Sequence, residues 1–290
     1  MRHPVGIIGV GNMGGAMAMR LRDCGWPVQV CDTDPARIQL LEPFGAVAQQ
    51  TPAQLAINSV AVIVCVVNAA QTDEVLFGPQ GVAGVLQSGR TVILCPTISP
   101  QDVESFAARL GERGIHTVDA PMSGGPQRAR EGTMSLMVAS EPTVYDRQAA
   151  LLQALSSKVF HISSNPGDGA RTKLVNNLLA GINLVGAAEV LALAGRMGLD
   201  LEKTLDVIEQ SSGQSWIGSD RMRRAIAGDF APRAHVTLLE KDTCLAVEAA
   251  RAAGFEGPLG ARAAQVFAQA HQAGLAELDD AAIFKYLQGR

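Results

Sequence analysis

Short apolar runs separated by helix-compatible stretches fill the first half of the chain. Val5-Gly6-Ile7-Ile8-Gly9, Val28-Gln29-Val30-Cys31-Asp32 and the β-branched run Ala61–Val67 each have the length of a strand. The run Ala61–Val67 is continuously apolar and not alternating, the mark of a strand covered on both faces, and Val28–Asp32 ends in an acid. Thr91–Leu94, Ile115–Asp119, Met134–Ala139 and Val159–Ile162 extend the series. Helical stretches fall between them at Gly15–Cys24, Pro35–Leu41 and Pro100–Leu110. The second has Asp34 placed to cap it and proline in its first turn. Strands alternating with helices predict a parallel, doubly wound α/β domain.

Past Asn165-Pro166-Gly167 the pattern changes. Leu174–Met197, Glu202–Ser211, Ile217–Ala227, Val236–Ala253, Leu259–Ala273 and Asp280–Leu287 all read as helices, with breaks at Gly198, Ser212-Gly213, Gly228–Pro232 and Gly254–Pro258. The expected division is an α/β domain over residues 1–164 and an all-helical domain over 165–290, and 290 residues suffice for two cores. Composition narrows the class. A net charge of -4, 4% aromatic residues and no basic cluster give no footprint for nucleic acid. Five scattered cysteines without CxxC spacing read as buried thiols in a reducing cytoplasm, not as disulfides or a zinc site. The five histidines are isolated, so no metal site is expected. The basic, then apolar start resembles a signal peptide, but glycines interrupt it and no cleavage site follows. No apolar run spans a bilayer without glycine or polar breaks, so no membrane partner is expected.

One glycine-rich segment stands in a complete context. Gly9-Val10-Gly11-Asn12-Met13-Gly14 follows a strand and opens a helix, and Asp32 ends the next strand 21 residues after Gly11. This is the dinucleotide fingerprint of a Rossmann-type domain. Gly9 permits the tight turn, Gly11 lets backbone approach a pyrophosphate, and Gly14 lets the helix pack closely. The helix N-terminus offers N–H groups and positive dipole, and Asp32 is placed to accept hydrogen bonds from the adenosine ribose. Ligands of open parallel sheets lie at the carboxyl ends of strands. Val67 and Asn68 end one strand and Thr97 follows another; each reads either as a cofactor contact or as an ordinary connecting loop.

Two further stretches carry candidate chemistry. In Asp119-Ala120-Pro121-Met122-Ser123-Gly124-Gly125-Pro126, residues Ser123, Gly124 and Gly125 can present a hydroxyl and successive N–H groups to a carboxylate, or form a flexible turn. In Gly167-Asp168-Gly169-Ala170-Arg171-Thr172-Lys173-Leu174-Val175-Asn176-Asn177, Lys173 and Asn177 are four apart and share a face on a helix. A lysine and an amide aimed at one point suit proton transfer to a substrate oxygen; the alternative is a solvated lysine.

Taken in order, GxGxMG (Gly9 to Gly14), DAPxSGG…GT (Asp119 to Thr133), GxGxxxKxxNN (Gly167 to Asn177) and the later pair Lys241-Asp242 resemble the β-hydroxyacid dehydrogenases, the group of 3-hydroxyisobutyrate dehydrogenase and tartronate semialdehyde reductase. The motifs cover nearly the whole chain. The resemblance implies a nicotinamide cofactor and reversible oxidation of a short 3-hydroxy acid. It implies Ser123, Gly124 and Gly125 at the substrate carboxylate, Lys173 as acid/base, Asn177 as substrate ligand, and Lys241 approaching the cofactor. Met122 replaces the valine common in the second motif. The related 6-phosphogluconate dehydrogenases have a glutamate where Ala180 stands, seven residues after the lysine. The stretches Ser211–Trp216, Arg221-Met222 and Asp229–Arg233 resemble the L-threonate dehydrogenase branch. Trp216 reads equally as plain core.

The expected protein is a cytoplasmic NAD-dependent dehydrogenase, with NADP disfavoured by Asp32, acting on a threonate- or 3-hydroxyisobutyrate-like acid as a homodimer or homotetramer. Two other readings remain open: an NADPH-linked reductase of tartronate or succinate semialdehyde, and a catalytically silent NAD(P)-binding module.

Overall fold

The computed structural model describes residues 2–289. They pack as two compact units divided between Lys173 and Leu174.

The first unit is built on one sheet. Strands β1 (Val5–Ile8), β2 (Val28–Cys31), β3 (Val47–Ala48), β4 (Ala61–Val64), β5 (Thr91–Leu94) and β6 (His116–Asp119) lie in the order β3-β2-β1-β4-β5-β6, all parallel. The order reverses between β1 and β4, where doubly wound sheets place their ligands. Helices α1 (Asn12–Asp23), α2 (Pro35–Gln39), α3 (Pro52–Ile57), α4 (Ala69–Phe77) and α5 (Pro100–Gly111) make the crossovers. Several have local start signals. Asp34 accepts from the Ala36 N–H at 2.9 Å, Thr51 from Gln54 at 3.1 Å and Ser99 from Asp102 at 3.1 Å, each relieving an otherwise unpaired helix donor. Separate apolar clusters cover the two faces of the sheet, one holding Met17, Leu21 and Met134, the other Leu55, Leu76 and Leu110.

Beyond β6 the sheet departs from a purely parallel reading. Strand β7 (Met122–Ser123), helix α6 (Gly125–Glu131) and strand β8 (Ser135–Ala139) follow within twenty residues. The chain turns back on itself here, and β8 pairs antiparallel with both β6 and β7. Helix α7 (Pro142–Leu155) then carries the chain to β9 (Lys158–Ser163), which pairs parallel with β8. Strands β3 and β7, of two residues each, are too short to leave a pattern in the sequence.

Helix α8 (Asp168–Arg196) begins six residues before the expected Leu174. The Gly-Asp-Gly segment reads as a turn locally, but its N–H groups are held by a distant carboxylate, as described below. By length and hydropathy α8 would suffice to cross a membrane; 39% of its most apolar stretch is buried within the fold.

The second unit contains most of α8 with α9 (Leu201–Glu209), α10 (Trp216–Ile226), α11 (Val236–Ala252), α12 (Pro258–Ala270) and α13 (Ile283–Gln288). Its core gathers Leu184, Leu191, Met222, Phe267 and Ile283. The fold is thus an α/β doubly wound domain followed by a helical region. All five cysteines are free thiols, but Cys244 is exposed and Cys24 and Cys65 only half-buried, so the expectation of uniformly buried thiols is corrected.

Candidate active site

The turn between β1 and α1 is shaped by its glycines. Gly9 has φ of +84°, and a Cβ there would meet the Cys65 carbonyl oxygen at 2.7 Å. A Cβ on Gly14 would lie 1.9 Å from the Gly9 carbonyl oxygen, so helix and turn touch backbone to backbone. Gly11 is the N-cap of α1 and no side chain caps it, which leaves N–H groups and the positive helix end facing outward. A groove of about 390 Å³ runs past Gly11, Asn12, Gly15, Arg37, Gln127 and Arg130. Met13, in the first turn of α1, packs partly buried against the core.

Asp32 is tied into this turn. Its Oδ2 accepts from the Val10 N–H at 2.7 Å and its Oδ1 from the Asp34 N–H at 2.9 Å, leaving the side chain 6% exposed. Arg37 lies 4.0 Å from Asp32 and 3.4 Å from Asp34, and covers Gly11. The residue types fit a dinucleotide: a glycine cradle, an uncapped helix end and an acid at the next strand end. The other strand ends are mixed. Val67 is exposed. Asn68 caps α4, its Oδ1 accepting from the Gln71 N–H at 2.8 Å. Thr97 is half-buried past the end of β5.

On the loop after β7, Gly124 and Gly125 take φ of +132° and +76° in succession, beside half-buried Ser123 at the head of α6. Both values lie where glycine is favoured, so the chain turns tightly there into α6.

Lys173 and Asn177 both lie on α8 and both are buried, at 7% and 6% exposure. A lysine buried to that degree is uncommon in protein structures. The Asn177 amide is oriented from within its own unit. Its Nδ2 donates to Asp242 Oδ2 at 2.6 Å, and its Oδ1 accepts from Asn176 Nδ2 at 3.0 Å. A primary amide has a second N–H to offer elsewhere. Asp242 is itself buried and sits beside Lys241, whose Nζ lies 2.9 Å from Asp242 Oδ1. The Lys241-Asp242 pair is visible in the sequence, but the role of the acid in orienting Asn177 is not. The two are 65 residues apart, and no local pattern links them.

A family model described as the NAD binding domain of 6-phosphogluconate dehydrogenase matches residues 4–163, and one described as NAD-binding of NADP-dependent 3-hydroxyisobutyrate dehydrogenase matches residues 167–287. The chain belongs to the β-hydroxyacid dehydrogenase family. It is 37% identical to an L-threonate dehydrogenase of Cupriavidus necator, over 100% of this chain and 97% of that protein. It is 31% identical to a 2-hydroxy-3-oxopropionate reductase of Escherichia coli, over 98% of this chain and 97% of that one. The crystal structure of a 3-hydroxyisobutyrate dehydrogenase from Salmonella typhimurium superposes with a TM-score of 0.92 at 35% identity, covering 98% of this chain and 99% of that one.

As a β-hydroxyacid dehydrogenase the chain is an NAD(P)-dependent enzyme oxidising a small 3-hydroxyacid. Within the stretches that resemble the threonate branch, this dehydrogenase puts several side chains to structural use. Arg221 Nε donates to buried Asp280 at 2.5 Å, and Met222 is core. Trp216 is 44% exposed at the head of α10, so it is not plain core.

Proposed function

We propose that this dehydrogenase oxidises a short, threonate-like hydroxy acid with NAD preferred over NADP, using Lys173 as acid/base. The observation that carries this is the buried pair Lys173 and Asn177 on one helix. In the oxidation direction Lys173 Nζ, as the neutral amine, takes the hydroxyl proton. Asn177, oriented by Asp242, positions the hydroxyl through its second amide N–H. Ser123, Gly124 and Gly125 hold the substrate carboxylate, so the reacting carbon is presented in one orientation. Gly9, Gly11, Asn12, Met13, Gly14 and Asp32 would hold the dinucleotide, with Val67, Asn68, Thr97 and Lys241 lining its path. Bound nicotinamide supplies the hydride acceptor.

Asp32 disfavours the 2′-phosphate of NADP by like charge, roughly 1–4 kcal/mol at ~4 Å between the water and surface limits. Arg37, already beside Asp32, offsets part of that. Five free thiols, one of them the exposed Cys244, suit a reducing cytoplasm. The exposed apolar residues Val175, Leu179, Val190 and Leu193 follow helical spacing along α8, with Met197 just past its end, and suit contact with a second copy in a dimer or tetramer, which light scattering would size.

The test is Lys173→Ala. The expected loss in kcat is roughly 10²–10⁴-fold, the scale of a positioned general base, with NAD affinity unchanged. Lys173→Arg restores little, because arginine does not release a proton near neutral pH. A folded, NAD-binding Lys173→Ala enzyme that keeps more than about a tenth of kcat ends the mechanism. Product analysis on a threonate-type acid, which carries neighbouring hydroxyls, then fixes the position of attack: a 3-oxo product supports oxidation at carbon 3, and a 2-oxo product moves the chemistry to carbon 2.

A further inference from the structure

Two of the sequence motifs meet at a single carboxylate. Asp119 ends β6 and is 1% exposed. Its Oδ2 accepts from the Gly167 N–H at 2.8 Å and from the Ala170 N–H at 3.0 Å, and the Gly169 N–H also bonds to the carboxylate. These donors are the first turn of α8, the groups a helix start leaves without intrahelical partners, and a carboxylate there also meets the positive helix end.

The glycines of the Gly-Asp-Gly segment are fitted to this seat. Gly167 has φ of +104°, a conformation that favours glycine. A Cβ on Gly169 would lie 2.7 Å from the Met137 carbonyl oxygen and 2.9 Å from Asp119 Oδ2. The outer side of the same turn is braced by Arg171, which bonds Glu104 of α5 at 2.5 Å and Asp168 at 2.9 Å. Lys173 follows Ala170 by three residues.

On the other side of Asp119 the chain runs straight into the Ser123–Gly125 loop with little slack. The Ala120 N–H donates to the Leu94 carbonyl at 2.8 Å, and the Met137 N–H to the Pro121 carbonyl at 3.0 Å.

We propose that Asp119 is a positioning residue for Lys173: its carboxylate fixes the first turn of α8 against the carboxyl edge of the sheet, so that the lysine and the Ser123–Gly125 loop are held in one frame. The proposal rests on the acid/base reading of Lys173 and deepens it. Asp119 acts through the helix and touches no substrate.

A double-mutant cycle tests this in the full-length enzyme, with kcat on the best hydroxy acid and NAD affinity by fluorescence titration. Asp119→Ala removes the acceptor; Asp119→Asn keeps an acceptor oxygen on the same seat. In the wild-type background Asp119→Ala should lower kcat roughly 10–100-fold, the scale of an ångström-sized misplacement. Asp119→Asn should recover most of that, and NAD affinity should stay within about twofold of wild type for both. In the Lys173→Ala background the same substitutions should change the residual rate by less than about twofold, because a residue acting through the lysine has nothing left to position. If Asp119→Ala does not fold, the cycle is read with Asp119→Asn, for which a roughly three- to tenfold loss is expected.

A folded Asp119→Ala enzyme with wild-type kcat overturns the proposal, or a wild-type Asp119→Asn where Asp119→Ala does not fold, as does an equal loss in both backgrounds, which would mark a purely structural role. If Lys173→Ala itself keeps the wild-type rate, the acid/base reading falls and this inference with it. If Lys173→Ala loses activity but the Asp119 effects are additive, this inference alone falls.

Discussion

Two glycine-rich turns open helices in the first unit, and they use the same physics in opposite ways. At Gly9–Gly14 no side chain caps the helix end, and the Arg37 guanidinium lies over Gly11. At Gly167–Gly169 the equivalent place is occupied by the carboxylate of Asp119. In both, a positive-φ glycine starts the turn and a second glycine allows a close approach, to the Gly9 carbonyl in one case and to Asp119 in the other. A glycine-rich helix start can seat an anion, and at Gly167–Gly169 the chain supplies its own carboxylate. Whether it serves an external ligand or internal architecture depends on what the rest of the chain puts there.

The sharpest way to break the comparison is to add one methyl group to each turn. Gly14→Ala would force a carbon to within 1.9 Å of the Gly9 oxygen. The variant should fold poorly or lose NAD binding by more than roughly 100-fold, far beyond the ordinary ~1 kcal/mol scale of a point substitution. Gly169→Ala should keep NAD binding and lose turnover instead. Titration of NAD alongside steady-state kcat separates the two; a Gly169→Ala enzyme that loses NAD binding as Gly14→Ala does would erase the distinction.

The second contrast is electrostatic. Burial outweighs the N–H donors and pushes the Asp119 carboxyl up to about 6 from its ordinary 3.8. Between those values the folded protein holds a proton that the unfolded chain has released. Stability contributed by this group therefore rises as pH falls through about 6 and levels off below about 4, by at most about 3 kcal/mol. Buried Asp280, raised to about 7, adds in the same direction, while Asp279, held down to about 2, opposes it at lower pH. The diagnostic is thus the difference between wild type and Asp119→Asn in urea unfolding from pH 7.5 to 4.5. Wild type should gain on the variant as pH drops, and a pH-independent gap would show that the carboxyl does not titrate in that window.

The smallest expected effect concerns the outward turn. Arg37→Ala removes the cation over Gly11 and beside Asp32. The preference for NAD over NADP in kcat/KM should then widen by roughly three- to tenfold, the scale of one exposed charge interaction. An unchanged ratio would show that Arg37 plays no part in cofactor choice.

Much of this was legible in the sequence, for a definite reason. Gly9 to Asp32 is nearly contiguous, so strand, turn, helix and acid can be read together. The alternation of strands and helices likewise points to a doubly wound domain, though not to its strand order. What was not legible depends on distance. Asp119 and Gly167 are 48 residues apart, and the early start of α8 follows from that remote carboxylate, not from local propensity. The antiparallel β7–β8 pair has strands too short for periodicity. Asp242 acquires its role on Asn177 only when α8 and α11 pack together within the second unit.

The fit between Asp119 and Gly169 also bears on how such enzymes can be recombined. A crossover between relatives placed anywhere from residue 120 to residue 168 would take the carboxylate from one parent and the closely fitted glycine turn from another. With Met137 O and Asp119 Oδ2 both within 3 Å of where a Cβ at 169 would stand, a mismatch of a few tenths of an ångström has nowhere to relax. Breakpoints before Asp119 or after Ala170 keep that joint intact, so library designs should inherit residues 119–170 from a single parent.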